Sequence, residues 1–433
     1  MLNIRYSIIW FKTISVCIYL YILFDYAFMT ITFQKIPIGE LLLLLTLPFI
    51  NYKVIFNKLR TTIQINLYFL FLIYFFSRII MGFMEYGIWA LRDGTNVIES
   101  LFILLGFFII KDMYRLSWFY KYLRITLLLT SLISLSFPIR NYIYLFSPFI
   151  YTPAGAKLPL FFTYVNSFML MLLTSALILF EGNSLKGFNF IISFFFIIFA
   201  LFFSQFRTVY LQFIAVLFFL YYYKKQSFFS IIEILLLCIF ILVIFELSNI
   251  ELKGRYGGNI SFDFMLNHFL SIFGYSSSDT AGAAGGVSQR LQWWTFIYKN
   301  LTNKWSSFVF GIGYGMPLTD FVVQGRIVRE PHNSLISIFA RSGIIGTILF
   351  LSFHYELFRN SIKAIRETKI DNWLKNFFLI ILLYFILVWI YSIGEDAFEK
   401  PFNSIPYYFF GGIVLRYRYL KTIYNQSPNR YPS

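Results

Sequence analysis

Long apolar runs follow one another along almost the whole chain, separated by short polar segments. Of its 433 residues, 59% are hydrophobic and only 13% are charged, so a soluble fold could not remove this much apolar surface from water. A bilayer accepts such surface, and helices satisfy their own backbone hydrogen bonds within it. We therefore predict an all-α polytopic membrane protein that forms a single integral-membrane domain over residues 1–433.

About 12 transmembrane helices account for these runs, at roughly 20 residues for each crossing. We place them at 14–33, 38–52, 63–84, 95–110, 122–138, 159–180, 188–206, 208–223, 228–247, 333–353, 376–393 and 402–415. Short segments assigned to the cytoplasm then hold 21 Lys and Arg, whereas short outer loops hold six. This positive-inside asymmetry puts both termini in the cytoplasm and explains most of the net charge of +16, so we expect no nucleic-acid partner.

A polar loop of 85 residues, 248–332, interrupts the spans and faces outward in this topology. Within it, Gly274–Gly286 is typical of a flexible strip, and Gln289–Asn300 has helical spacing. The sequence GIGYG, residues 311–315, predicts a tight turn before the chain returns to the membrane. The loop is therefore predicted to be a small, partly helical cap over one face of the bundle.

The cap ends in EPHNSLISIFARSGIIG, residues 330–346, where the chain passes from water into an apolar run. Pro331 suits the entry to a helix, and Asn333 or Ser334 is suited to cap it. A helix that begins here aims its positive N-terminus at the aqueous surface. This stretch therefore predicts an anion-binding site at the outer surface.

Arginines collect around this site, although topology rules disfavour cations on the outer side. An arginine within a span costs about 2.5–3.5 kcal/mol on insertion scales, and a bound phosphate or diphosphate would offset that cost. We favour Arg207 and Arg290 as functional groups, with four further arginines as candidate substrate-binding residues: Arg78, Arg255, Arg326 and Arg329. The alternative for each is snorkelling to headgroups or pairing with an acid, and we favour it for Arg341.

His332 lies at the mouth of the predicted helix, where we expect neighbouring cations to keep its imidazole neutral and able to accept a proton. A hydrogen-bonded structural histidine is the alternative. Trp294 and Tyr314 are candidates for stacking on sugars, and Asn333 is a further candidate binding residue, although packing within the cap is the commoner role of such rings. The outward segments contain no DxD pair, HExxH or Cys/His cluster, so we expect neither a metal nor a cofactor.

The motif PHNSLISIFARSGIIG, preceded by QRLQWW and GIGYG and, further upstream, by SQFRT, resembles the O-antigen polymerase and O-antigen ligase superfamily. The resemblance covers about residues 200–353 and implies a metal-independent, membrane-embedded glycosyltransferase of the GT-C type. It implies a bacterial inner-membrane enzyme with its active site facing the periplasm and an undecaprenyl-diphosphate-linked oligosaccharide as donor. By position, His332 would be the base or the group that orients the acceptor, and Arg207 and Arg290 would bind the diphosphate. Family members often carry an acid before the first glycine of the motif, where this chain has Arg341 and Ser342.

Two reactions fit the shared motif. A polymerase passes the growing glycan to another lipid-linked repeat unit, whereas a ligase passes it to lipid A–core. We predict the polymerase because the composition, with 57 Phe and 32 Tyr, is idiosyncratic, as that of repeat-unit-specific enzymes tends to be. A chain-length regulator protein and membrane lipid are then candidate partners. A flippase of lipid-linked oligosaccharides is a more distant alternative, disfavoured by the one-sided cap and the lack of internal repeats.

Overall fold

The computed structural model describes residues 4–33, 36–50, 63–151, 157–159, 164–182, 187–204, 206–224, 281–323, 326–368 and 372–426, with a few helical residues between 236 and 270. Over these residues the fold is helical apart from three short two-stranded hairpins. The helices are α1 (Ile4–Met29), α2 (Ile38–Thr46), α3 (Ile63–Tyr86), α4 (Ile88–Asp93), α5 (Thr95–Ser100), α6 (Phe102–Ile109), α7 (Met113–Ser134), α8 (Arg140–Phe146), α9 (Ser167–Glu181), α10 (Phe188–Ser204), α11 (Arg207–Lys224), α12 (Ala281–Thr302), α13 (Trp305–Phe310), α14 (Ser334–Glu367), α15 (Asn372–Gly394) and α16 (Pro401–Gln426). The prediction of an all-α protein is confirmed.

Several of these helices are long and apolar enough to cross a membrane. Among the described residues there are four such segments, Ile8–Met29, Asn66–Tyr86, Ser334–Glu367 and Trp373–Gly394, and a fifth if the bent pair α7 and α8 counts as one. Four shorter apolar segments accompany them, at Thr95–Ile109, Ser167–Glu181, Phe188–Ser204 and Arg207–Tyr223. The number of 12 spans is not confirmed. The predicted span 38–52 contains a helix of only nine residues, and most of the predicted span 228–247 lies outside the described residues.

Helix α16 packs closely against two other helices of the bundle, α6 and α1. Gly106 of α6 and Gly412 of α16 face each other, and a Cβ on either glycine would collide with the backbone of the other helix. Small residues allow such close approach between helices in a membrane. On another side, Tyr26 of α1 packs edge-on against Phe402, at the start of α16. The second contact lies at the end of α16 that follows α15 in the chain.

Helix α14 is not a plain span, in contrast to the straight crossing predicted over 333–353. Gly343 lies inside it with φ 65° and ψ −168°, which is not a helical conformation. Leu335 and Leu351 line one cavity, although sixteen residues of straight helix would separate them by about 24 Å. The first turns of α14 therefore fold back sharply against the remainder, so that the chain before Ser334 stays close to the bundle.

The cap contains the helix that the spacing predicted over Gln289–Asn300, although α12 begins earlier, at Ala281, inside the stretch expected to be flexible. The predicted GIGYG turn is confirmed: Gly311, Gly313 and Gly315 all have positive φ angles, of 80°, 100° and 104°. Backbone hydrogen bonds hold this turn against the bend of α14, from Ile312 N to the Ala340 carbonyl at 2.7 Å and from Gly313 N to the Arg341 carbonyl at 3.1 Å.

Candidate functional site

The link between α15 and α16, residues 395–400, carries a dense group of charges and is called the 395–400 link here. Helix α15 ends at Gly394 and α16 begins at Pro401, so the link lies at one end of the bundle. It contains Glu395, Asp396, Glu399 and Lys400. The side chain of Glu395 is only 19% exposed, so its charge depends on the partners that surround it.

Arg290 of the cap helix α12 reaches this link. Its Nη1 donates to the Gly394 carbonyl at 2.6 Å, and its Nη2 donates to Glu395 Oε1 at 3.1 Å. The guanidinium therefore binds both the last carbonyl of α15 and the first carboxylate of the link. Its side chain remains 31% exposed, so a ligand has access to the donors that the protein does not use.

His332 approaches the same carboxylate from the other side. Its Nδ1 lies 3.3 Å from Glu395 Oε2 and 3.4 Å from Asp396 Oδ2, and its side chain is 40% exposed. The residue has φ 52°, a left-handed backbone conformation that is uncommon for a residue with a Cβ. Trp293 lies beside the imidazole, with 5.9 Å between the ring centroids. Arg290 and His332, which were predicted from separate motifs, thus both contact Glu395.

Asn333 and Trp294 fix the chain on either side of His332. Asn333 is the N-cap of α14, as predicted: its Oδ1 accepts from Ile336 N at 3.0 Å, and its Nδ2 donates to the Ile393 carbonyl at 2.8 Å. Trp294 donates from Nε1 to the Pro331 carbonyl at 2.9 Å. Asn333 and Trp294, both predicted to bind substrate, therefore use these polar groups in hydrogen bonds that hold the chain around His332 in place.

Arg207 is the first residue of α11, and that end of the helix lies at the site. A Cβ built on Gly394 would stand 2.9 Å from Cγ2 of Thr208 and 3.8 Å from Nη1 of Arg290. The N-terminus of α11 and the start of α14 are thus both close to the end of α15. Because helix N-termini carry partial positive charge, they add to the attraction for an anion there.

The titratable side chains of the 395–400 link have pKa values that differ strongly from their ordinary values. Burial alone would raise the pKa of Glu395, but the hydrogen bond from His332 and the charges of Lys400 and Arg290 lower it to about 2. Lys400 lies 3.6 Å from Glu395 Oε2. Burial lowers the pKa of this lysine, but the charges of Tyr391, Glu395 and Asp396 outweigh it, so that the pKa is raised. Burial and the charges of Asp396 and Glu330 raise the pKa of Glu399 to about 8. Among these three acids, Glu395 is thus the one whose pKa lies below its ordinary value, whereas the pKa values of Asp396 and Glu399 are raised.

A second ionic cluster lies beside the GIGYG turn and is buried. Arg341, 2% exposed, pairs with Glu330 at 2.6 Å and with Asp93 at 3.0 Å, and Arg329 pairs with Asp93 at 2.9 Å. Two guanidiniums thus neutralise two carboxylates. The acid pairing favoured for Arg341 is confirmed. Arg329, predicted to bind substrate, is instead committed to Asp93 and to the Gly315 carbonyl, from which it lies 2.7 Å away.

The remaining predicted residues lie away from the solvent-accessible site or outside the described residues. Tyr314 is 1% exposed within the core, so the expectation that it stacks on a sugar is wrong for this conformation. Arg78 donates to the Gly311 carbonyl at 3.2 Å and so supports the turn. Arg255 lies outside the described residues, as does the side chain of Arg326.

Sequence reasoning missed the acids of the 395–400 link. His332 was expected among cations, whereas its nearest charged neighbours are Glu395 and Asp396. The sequence signal was present as EDAFEK, residues 395–400, a charged group between two apolar runs. In the part of the chain that the structure describes, no group of three or more His, Cys, Asp or Glu is arranged to hold a metal ion. Metal independence stays a prediction.

An apolar groove leads away from the site between α14 and α15. It has a volume of about 420 Å³ and is lined by Leu335, Leu351, His354, Tyr355, Phe358, Ile386, Trp389, Ile390 and Ile393. Leu351 and Tyr355 are 43% and 66% exposed, so the groove opens to the outside of the bundle. Its Leu335 end directly follows the His332–Ser334 segment, which places the groove beside the charged site.

Comparison with known families agrees with the resemblance noted in the sequence. Residues 192–351 match the family model described as O-antigen ligase, which confirms the similarity to the O-antigen polymerase and ligase superfamily. The match includes Arg207, Arg290 and His332, whereas the 395–400 link lies beyond it. Comparison with curated proteins gives no match.

Proposed function

We propose that this chain, whose residues 192–351 match the O-antigen ligase family model, is a surface-polysaccharide polymerase. It transfers an undecaprenyl-diphosphate-linked glycan onto a lipid-linked repeat unit at the periplasmic face of the bacterial inner membrane. The family supports a glycosyltransferase of polysaccharide assembly. One structural observation adds the main support: Arg290, His332 and the first turn of α11 all lie close to the end of α15.

The cationic side of this arrangement suits the diphosphate of the donor. Arg290 offers a planar fork of donors, and Arg207 begins a helix whose second residue, Thr208, places its side chain against Gly394. Lys400 adds a third positive charge 3.6 Å from Glu395. Donors fixed in advance stabilise the negative charge that develops on a departing group, because they need no reorganisation during the reaction. We therefore assign the diphosphate to the space between Arg207 and Arg290.

His332 supplies the base in the proposed reaction. The acceptor hydroxyl oxygen attacks the anomeric carbon of the donor and forms the new glycosidic bond. The bond between that carbon and the diphosphate oxygen breaks, and the diphosphate leaves with the electron pair. The hydroxyl proton passes to the imidazole and then to water. Help of this kind from a positioned base accelerates a reaction by about 10²–10⁴-fold.

The groove between α14 and α15 suits the lipid part of the donor. Its lining is aliphatic and aromatic, and it is open towards the outside of the bundle through Leu351 and Tyr355. An isoprenoid chain leaving the diphosphate site would enter the groove at Leu335 and remain in contact with apolar side chains. The lipid tail then lies between α14 and α15, and the charged head lies beside it, where α11 and α12 reach the end of α15.

A transfer assay with purified protein and a defined undecaprenyl-diphosphate-linked repeat unit tests this function. A ladder of products, each longer by one repeat, is the expected result, and His332→Ala should abolish it while the protein still folds. Product that forms only when lipid A–core is added would overturn the polymerase in favour of the ligase. No glycosidic product with either acceptor would overturn both reactions.

A further inference from the structure

We propose that Glu395 is a positioning residue for the transfer: it holds His332 with the proton on Nδ1, so that Nε2 faces the acceptor, and it aligns Arg290 at the same time. The inference rests on the proposed function for its role in catalysis. The arrangement itself belongs to the protein alone and can be measured without substrate. No residue of the 395–400 link lies within the segment matched by the family model.

The geometry of the two carboxylate oxygens carries this inference. Oε2 lies 3.3 Å from His332 Nδ1, and Oε1 lies 3.1 Å from Arg290 Nη2. One side chain thus connects the candidate base with a candidate diphosphate-binding group. Rotation of the Glu395 carboxylate would disturb both contacts, so the positions of base and cation are set together.

The position of the proton on the His332 ring follows from the chemistry of its partner, the Glu395 carboxylate. An ionised carboxylate only accepts hydrogen bonds, so the nitrogen facing it must carry the proton. The pKa of Glu395, lowered to about 2, keeps this carboxylate ionised throughout the pH range in which a cell surface works. In a neutral imidazole the other nitrogen, Nε2, then has a free lone pair. The 40% exposure of His332 gives an acceptor hydroxyl access to the ring.

Glu395 fits this role better than Asp396, which also approaches Nδ1. Burial raises the pKa of Asp396, and its Oδ1 is buried without a hydrogen-bond partner in the structure. Charged groups face Glu395 from each neighbouring element: Arg290 of α12, His332 before α14 and Lys400 before α16. All three lie within ion-pair distance of Glu395, whereas among the described residues Asp396 has only His332 at such a distance.

During transfer, Glu395 would stabilise the imidazolium that forms when Nε2 takes the hydroxyl proton. The positive charge on the ring then lies 3.3 Å from a carboxylate oxygen. No bond to Glu395 forms or breaks, and the proton leaves later from Nε2 to water. A glutamine at this position can donate a hydrogen bond to Nδ1, which favours the opposite tautomer and removes the lone pair from Nε2.

Glu395→Gln, Glu395→Asp and Asp396→Asn, compared by nitrogen NMR of histidine-labelled protein in detergent, test the inference. The chain has only three histidines, and His332→Asn assigns the relevant signal. The expected result is an Nδ1-protonated His332 in the native protein and in Asp396→Asn, with a change towards the Nε2-protonated form in Glu395→Gln. A native ring protonated on Nε2, or a tautomer controlled by Asp396 instead, would overturn the inference.

Kinetics provide the second readout. Glu395→Gln should lower kcat for glycan transfer by about 10²-fold or more, within the range of general-base catalysis, and Glu395→Asp should recover part of it. Unchanged kcat in Glu395→Gln, despite an altered tautomer, would show that the position of the proton does not matter for the reaction. If the native protein transfers no glycan at all, the proposed function fails, and the NMR result still decides the structural part.

Discussion

Arg341 and Asp93 form an ion pair in which both side chains are 2% exposed and Nη1 lies 3.0 Å from Oδ2. The pair connects the bent helix α14 to the short helix α4. Asp93 also accepts hydrogen bonds from Gly315 N at 3.1 Å and from Arg329 at 2.9 Å. One carboxylate therefore fixes the last glycine of the GIGYG turn, the end of the cap and the helix that His332 precedes.

Asp93→Asn should destabilise the protein strongly. The change leaves Arg329 and Arg341 with less compensating charge in a buried place, and removing one partner of a buried ion pair costs about 3–5 kcal/mol. Chemical denaturation in detergent micelles measures this loss. Asp112→Asn is the matched control, because Asp112 is 52% exposed beside Arg115 and asparagine still caps α7. An equal loss in both variants would contradict the role assigned to Asp93.

Gly343→Ala should reduce both stability and glycan transfer. The left-handed φ of 65° costs a residue with a Cβ about 1–2 kcal/mol, and the new atom would also stand 2.5 Å from Gly311 N. Relief of that contact moves the bend of α14 and, with it, the segment that carries His332. Thermal unfolding and transfer rate are the measurements.

Gly87→Ala separates conformational strain from collision. Gly87 has a similar φ of 60°, but a Cβ there meets nothing within 4 Å. Only the strain should appear in this variant, so it should keep its transfer rate and lose less stability than Gly343→Ala. Two variants of equal stability would show that the contact at the bend is unimportant.

Glu399→Gln should remove a pH dependence of stability. The pKa of Glu399, raised to about 8 mainly by burial and by the charges of Asp396 and Glu330, lies above its ordinary value of 4.5. The folded protein therefore binds the proton more tightly than the unfolded chain does, and this contribution to stability is lost as pH rises from about 4.5 to 8. Glutamine resembles the protonated acid and does not titrate.

Melting temperatures between pH 5 and pH 9 test that expectation. The melting temperature of Glu399→Gln should increase relative to that of the native protein as pH rises. Glu395→Gln should not reproduce this trend, because the pKa of Glu395 is lowered to about 2 and this residue stays ionised over the whole interval. A constant difference at all pH values would mean that Glu399 does not bind its proton in this range.

Local sequence patterns predicted the helical class, the Asn333 cap and the glycine turn, since each depends on neighbours in the chain. They also indicated Arg290 and His332 as candidate site residues, and the structure brings both into contact with Glu395. The partners of those residues could not be predicted in the same way. Glu395 meets His332 only because α14 folds back at Gly343 and α15 returns to the same end of the bundle. Likewise, Arg329 was assigned to substrate because its partner, Asp93, belongs to a distant helix.

Arg290→Lys should impair transfer although the positive charge is retained. Nη1 and Nη2 of Arg290 hold two different acceptors, the Gly394 carbonyl at 2.6 Å and Glu395 Oε1 at 3.1 Å. A single ammonium nitrogen cannot reproduce that planar fork, and hydrogen bonds to charged groups contribute about 1.5–3 kcal/mol. Loss of one such bond in the transition state corresponds to a decrease of about tenfold or more in kcat/KM for the donor. Lys299→Arg, an exposed change on the same helix, is the control and should leave the rate within about twofold. A fully active Arg290→Lys would show that charge alone, without the fork, meets the requirement at this position.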